Sequence, residues 1–344
     1  MRLKHASIAI LLLAFLTAAA VADEHATRTI TRSFSLGAAD EFALVLLAGA
    51  ITIEPNGGSE FTLEATIHSI GETAEEAARI GEMMGFETRT RGGRLIVIAS
   101  LPLDRHRTYF YPGTGDRPYS GDSNTEFDGT RVRITSRRGR GLALWADVRL
   151  GVPAGSSLLA DSCVGPVDFS GLEADLSVDT GSGDVTGSEH VGSLSVDTGS
   201  GDVELADVRG DVSVDTGSGD VTFRGLEGSI SADTGSGDVQ LFGINASRVL
   251  VDTGSGDVHV DLDNADCDRI IVDTGSGDVT LEVPMGASLD VEFDAGSGRL
   301  NHHLREDPVR QHYDDGELIG FRLGDGRTRV RVDTGSGDLD IRQR

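Results

Sequence analysis

The chain has 344 residues, with 56 Asp plus Glu against 30 Lys plus Arg and a net charge of −26. That balance repels phosphate backbones and anionic membrane surfaces, which argues strongly against nucleic-acid binding and against adsorption to acidic lipid. With 38% hydrophobic residues, 5% aromatic residues and 46 Gly, the sequence reads as a folded chain that packs with aliphatic side chains and turns often.

Residues 1–22 read as a secretory signal peptide. Arg2 and Lys4 open it, Ile8 to Leu16 is apolar, and Ala20-Val21-Ala22 is a small-x-small cleavage site. The apolar run is too short for a spanning helix, and no later stretch offers one. Lys4 is the sole lysine, so cleavage leaves 28 − 56 = −28, with Arg and His as the only side-chain cations. The mature protein is expected to be extracytoplasmic, either periplasmic or secreted to the cell surface, with no membrane span.

Residues 23–150 form an N-terminal β-rich region. Ala50–Glu54 and Phe61–His68 read as strands. Thr73-Ala74-Glu75-Glu76 is a capping box, and Ala77, Ile80 and Met84 follow at helical spacing, which predicts one short helix near 74–84. Phe86–Thr90 and Arg94–Ala99 read as a hairpin around Gly92-Gly93, and Thr130–Ser136 and Leu142–Val152 as further strands. Between them, 104–129 is long and polar and holds Tyr109, Phe110, Tyr111 and Tyr119. Exposed aromatics there would suit a sugar or a protein. A mobile loop pinned by a few aromatics is the plainer expectation.

Residues 151–344 carry the main signal. Asp-Thr-Gly-Ser-Gly-Asp occurs seven times, starting at Asp179, Asp197, Asp215, Asp233, Asp252, Asp273 and Asp333. The steps are 18, 18, 18, 19 and 21 before the jump to Asp333, and Asp294-Ala-Gly-Ser-Gly-Arg299 is a degenerate copy 21 beyond Asp273. Asp161-Ser-Cys-Val-Gly-Pro166 reads as a decayed first copy. Val152-Pro-Ala-Gly-Ser-Ser-Leu158 recurs as Val283-Pro-Met-Gly-Ala-Ser-Leu289 before each decayed unit, as a strand-entry turn. In one unit, Val212 and Val214 alternate with polar residues, Gly217-Ser218-Gly219 turns by the positive φ that glycine tolerates, and Val221, Phe223 and Leu226 point inward again.

A fixed period near 20 residues means one supersecondary unit stacked on its neighbours. The expected fold is all-β: a parallel β-solenoid of about nine coils with 18–21-residue repeats, carrying an insertion at about 301–328 between its last two units. A sandwich of hairpins ranks second, because sandwiches do not need turns of identical sequence.

Equal positions stack in such a coil. The first Asp of each copy (Asp179, Asp197, Asp215, Asp233, Asp252, Asp273) and the last (Asp184, Asp202, Asp220, Asp238, Asp257, Asp278) would form two rows. Neighbours about 4.8 Å apart repel by roughly 1 kcal/mol in water, and more where solvent is excluded. Each Asp capping its own turn is favoured over Ca²⁺ between rungs, because the Gly-Gly-x-Gly-x-Asp calcium pattern and the EF-hand both fail here. The Thr row (Thr180, Thr198, Thr216, Thr234, Thr253, Thr274) is expected to stack at the coil corner; an ice-binding face usually needs two Thr per coil in one strand. Cys163 and Cys267, six coils apart and so roughly 25–30 Å, are expected to be free, unreactive thiols. His302, His303 and His312 read as surface residues, without ligands at metal spacing. No catalytic signature appears, and uniformly repeated carboxylates lack the distinct environment that catalysis needs. No catalytic, cofactor-binding or metal residue is expected.

The leader, the Glu-Glu-Ala-Ala-Arg helix, the Val-Pro-x-Gly-x-x-Leu entry and the repeated Val-Asp-Thr-Gly-Ser-Gly-Asp-Val resemble the bacterial putative-adhesin β-strand-repeat family. That family is a domain of unknown function related to the head domain of autotransporter adhesins, and the resemblance covers roughly 40–344. It implies a β-helix-like fold and an extracytoplasmic, non-enzymatic role. No alternating ten-residue barrel strands follow Asp338-Leu-Asp-Ile-Arg-Gln-Arg344, so no anchor of the autotransporter kind is expected. The expected function is an adhesin-like binding or scaffold surface whose partner is a protein or glycan at the cell envelope. The alternatives are an envelope structural protein without external ligand and a polysaccharide-active β-helix enzyme.

Overall fold

A computed structural model of the chain describes residues 23–305, 308 and 310–344. The leader segment 1–22 lies outside the described residues.

The repeat is a two-faced coil. In the unit of Asp215, strand Val212–Thr216 runs along the first face, Gly217-Ser218-Gly219-Asp220 turns the corner, and Val221 opens the strand along the second face. Alternation puts Val212, Val214, Val221, Phe223 and Leu226 inside, each at most 4% exposed. Units pair in parallel with no register shift at the repeat, so Asp179 faces Asp197, which faces Asp215, and Thr180 faces Thr198. The decayed first copy stacks as a true unit, with Asp161 facing Asp179 and Ser162 facing Thr180.

The corner glycines have a different cause from the one expected. None of the paired corner glycines of the seven full copies has positive φ. A Cβ on Gly201, Gly219, Gly237 or Gly256 would instead lie 1.8–2.2 Å from the carbonyl oxygen of the matching glycine one coil away. Close backbone approach excludes any side chain there. Positive φ belongs to the opposite turn, at Gly192, Gly210 and Gly228.

The units do not stack in sequence order at the far end. Strand Thr328–Thr334 pairs on one side with Arg269–Thr274 and on the other with Leu289–Ala295. Leu339–Gln343 likewise lies between Val279–Val283 and Leu300–His303. The last full copy is therefore interior, and the degenerate Asp294 copy forms the end. The insertion supplies a hairpin, Arg310–Asp314 with Glu317–Arg322, whose second strand pairs antiparallel with Leu289–Ala295 and closes the first face.

The other end has the same plan. Glu41–Ala48 and Ile51–Asn56 form a coil that pairs with Ser156–Val164 and Val167–Ser170. Outside it lie Arg94–Ser100 on the first face and Leu142–Pro153 on the second. The antiparallel strands Phe61–Gly71 and Glu24–Phe34 extend the second face, and Gly85–Arg91 extends the first. The helix runs Ala74–Gly81; Thr73 accepts from the Glu76 amide at 3.2 Å, and the Glu76 carboxylate accepts from the Glu72 amide at 2.9 Å. It stops before the expected residue 84, and Met84 is buried beyond its end.

Candidate functional site: a polar cleft at the head of the rod

The repeated side chains serve the stack. The last Asp of each copy, here called the inner row, accepts a hydrogen bond from the backbone of the next coil rather than from its own turn. The Asp202, Asp220, Asp238 and Asp257 amides donate to Oδ1 of Asp184, Asp202, Asp220 and Asp238 at 2.8–3.1 Å. The chain of bonds runs on through Asp278 and Asp338 and ends when the Arg299 amide donates to Asp338 at 2.8 Å. A carboxylate that holds an amide this way offsets the repulsion along its row. The Thr row is buried at 2% exposure or less, and Thr198, Thr216 and Thr234 donate to glycine carbonyls of the neighbouring coil at 3.2–3.4 Å.

The first Asp of each copy, here called the outer row, stacks through the decayed and degenerate copies as well. Asp161, Asp179, Asp197, Asp215, Asp233, Asp252, Asp273, Asp333 and Asp294 follow one another in register. Burial, helped by the charge of Asp179, pushes the Asp161 carboxyl up to about 6. Burial and then the adjacent Asp charges raise Asp179 and Asp252 too. Among the described residues, no group of three or more His, Cys, Asp or Glu converges as a metal site. His302 packs against the Phe321 ring with centroids 5.1 Å apart, and His303 lies 3.6 Å from Asp340. Cys163 and Cys267 are both free, and burial pushes each thiol up to about 11.

The segment 104–129 is a built element rather than a mobile loop. Thr108–Phe110 and Asp122–Phe127 pair with Thr130–Thr135 in a small second sheet. Tyr109 and Tyr111 are 0% and 1% exposed, so they are core rather than ligand-facing. Burial pushes the Tyr109 phenol up to about 12, and raises Tyr111 further. Tyr111 meets Trp145 edge-on at 6.2 Å and carries Tyr119 at 5.9 Å. Tyr119 is the aromatic left partly exposed. His25, His68 and Trp145 stack beside this core, and His68 Nε2 lies 3.0 Å from Asp147 Oδ2.

Arg117 ties the element to the rod. Its guanidinium donates to Asp168 at 2.6 Å, and that bond raises the Arg117 pKa. Thr114 Oγ1 fixes the preceding turn by accepting the Arg117 amide at 3.2 Å. A cleft of about 410 Å³ opens between this element and the first corner turns. Tyr119, Arg117, Asp122 and Ser123 form one wall; Ser182, Asp184 and Ser200 form the other. Hydrogen bonds from Thr135 and Arg133 hold the Asp122 carboxyl below the usual range. One aromatic face, one guanidinium and several hydroxyl and carboxylate oxygens converge there. That set suits a polyhydroxylated ligand, whose C–H face packs on the ring while its hydroxyls find donors and acceptors. Tyr119 was legible in the sequence as one of the loop aromatics. Arg117 and the serines were not, because only the fold brings 117–123 against 182–200.

The Toastrack DUF4097 family model matches residues 113–342. No curated protein matches the chain. A structure named a putative adhesin from Bacteroides fragilis aligns over 91% of this chain and 97% of that one, at 12% identity and a TM-score of 0.40. A putative cell adhesion protein from Clostridium sporogenes aligns over 93% and 100%, at 11% identity and 0.24. A putative lipid binding protein from Parabacteroides distasonis aligns over 92% and 96%, at 12% identity and 0.33.

Proposed function

The chain belongs to the Toastrack DUF4097 family, and from that premise we propose that it is a non-enzymatic, extracytoplasmic, adhesin-like binding protein that takes a glycan in the Tyr119–Arg117 cleft. The observation that carries this reading is the partly exposed Tyr119 ring beside Arg117, facing the serine hydroxyls of two successive corners. The non-enzymatic part is supported by the state of the carboxylates. Asp184 holds the Asp202 amide, and Asp122 is kept ionised by Arg133 and Thr135, so neither is poised as a general acid. An extracytoplasmic place is supported by the leader pattern of 1–22. Among the described residues, no helix is long and apolar enough to cross a membrane.

The test is a glycan array probed with the mature chain and with Tyr119→Ala. Retention of defined glycans, weakened roughly 2- to 10-fold by the substitution, is expected, since an aromatic stacking contact is worth roughly 0.5–1.5 kcal/mol. Retention by neither protein would move the chain to the class of envelope structural proteins. New reducing ends released from a retained glycan would make it an enzyme. Protease digestion of the chain on intact cells tests the location, and protection until the envelope is opened would place it inside.

A further inference from the structure

The far end of the rod holds a second cleft, unlike the first in chemistry. It encloses about 580 Å³ between the degenerate last unit and the hairpin Arg310–Asp314/Glu317–Arg322. Its floor is apolar: Phe293 and Leu300, 6% and 7% exposed, are the final layer of the solenoid core, and Leu318 of the hairpin packs against that core. Its rim is acidic. Glu292, Asp294, Asp314, Asp315 and Glu317 line it, with Arg299 as the one side-chain cation among the lining residues. Asp294 also ends the outer Asp row, so the charges of Asp333 and Asp273 stand in line behind it. Two large apolar side chains, Tyr313 at 58% and Ile319 at 40% exposure, sit on this hairpin.

The backbone beside the cleft is also available. Among the described residues, strand Leu300–His303 pairs on one side only, with Leu339–Gln343. A one-sided edge next to an apolar floor is the arrangement that accepts an added strand, in which main-chain bonds give affinity and alternate side chains give specificity.

We propose that this end binds an extended peptide segment in which Lys or Arg alternates with aliphatic residues. The segment adds to the edge of Leu300–His303, its aliphatic side chains cover Phe293 and Leu300, and its cations meet the five-carboxylate rim. The argument for this occupant is charge complementarity over an apolar base. The rim repels anionic lipid, and a second copy of a chain with net charge −26 meets like charge. This site is independent of the glycan cleft, which lies at the opposite end.

The experiment uses fluorescence polarisation with the mature chain and three labelled hexapeptides: alternating Arg-Val, alternating Glu-Val, and hexa-arginine. The alternating Arg-Val peptide is expected to bind at least tenfold more tightly than hexa-arginine, and the Glu-Val peptide not to bind. Replacing Asp314→Asn, Asp315→Asn and Glu317→Gln together weakens the Arg-Val peptide at least tenfold, while Tyr119→Ala leaves it unchanged. Charge reversal of the same three positions to Lys admits the Glu-Val peptide, a gain that misfolding cannot produce. Equal binding of hexa-arginine, or no loss in the triple variant, overturns the proposal, because the peptide would then be riding on the Asp rows of the shaft. Dimerisation of the chain alone that is abolished by Leu318→Asp also overturns it, by assigning the cleft to a second copy.

Discussion

Replacing Gly237 by Ala tests the claim that backbone contact, and not turn conformation, demands glycine at the corner. The added Cβ would sit 1.9 Å from the Gly219 carbonyl oxygen, and such contacts essentially never fall below 3.0 Å, so the coils must part locally by at least 3.0 − 1.9 = 1.1 Å. Besides the bond from the Thr234 hydroxyl to the Gly219 carbonyl at 3.2 Å, three bonds with backbone donors cross that gap: Gly235 N–H to Thr216 at 3.0 Å, Val221 N–H to Asp238 at 2.9 Å, and Asp238 N–H to the Asp220 carboxylate at 2.9 Å. Stretched to about 4 Å, each ceases to be a hydrogen bond, at roughly 1 kcal/mol apiece. Overpacking adds about 1–3 kcal/mol. The expected loss is about 4–6 kcal/mol, a large share of the stability of an ordinary domain. Gly57→Ala is the control, since its Cβ would meet nothing within 4 Å and should shift stability by no more than about 0.5 kcal/mol. Urea unfolding followed by far-UV circular dichroism reads both. If Gly237→Ala unfolds within about 1 kcal/mol of the parent, the contact argument is refuted and a conformational role must replace it.

The Asp238 carboxylate works as an acceptor for the Asp257 amide, so Asp238→Asn should be neutral to stabilising while Asp238→Ala costs about 1–3 kcal/mol; the reverse ranking in urea melts would mean that charge is what matters. Asp161 has its folded pKa raised to about 6, above an unfolded value near 3.9. It binds its proton more tightly when folded, so the stability it contributes is present in full below about 4 and is lost as pH rises through about 6. Thermal melts should therefore show a gain on going from pH 7 to pH 5 that is larger in the parent than in Asp161→Asn by on the order of 1 kcal/mol. With both thiols pushed up to about 11, iodoacetamide at pH 8 should leave the native protein unlabelled and add two groups per chain in denaturant. Chelation by EDTA should move the melting midpoint by no more than about 1 °C if amide bonds alone hold the inner Asp row; a shift of several degrees would reinstate calcium.

The coil was legible because two periods coincide in the sequence: alternation within a strand and a repeat near 18. Every inward residue read from Val212 to Leu226 is buried. The inward Thr was legible too, since Thr216 continues the alternation of Val212 and Val214; its hydroxyl disguised a core position whose donor finds a carbonyl across the coil. The order of the last units was harder, because pairing Asp278 with Asp338 spans 60 residues and leaves no local trace. One clue existed. A full copy fits a position with neighbours on both sides, and a copy with Arg299 in place of the last Asp fits an end, where no further amide awaits an acceptor. The two clefts were beyond reach, since each is made where segments distant in sequence meet: 117–123 with 182–200, and 292–301 with 314–319.

The tucked strand Thr328–Thr334 bears on how the rod yields to force. A solenoid whose final strand lay outermost would peel, rung by rung, under a pull from the C-terminal side. Here the strand loaded first, Leu339–Gln343, is clamped along both edges, and so is Thr328–Thr334 behind it, so an unfoldase must shear two ladders together at each, with the hairpin-capped rung still in place outside. Glu41–Ala48 is gripped in the same way at the other end. Removing residues 328–344 would then not shorten the rod by one step but leave an open slot between Arg269–Thr274 and Leu289–Ala295, two raw edges facing each other across a missing strand.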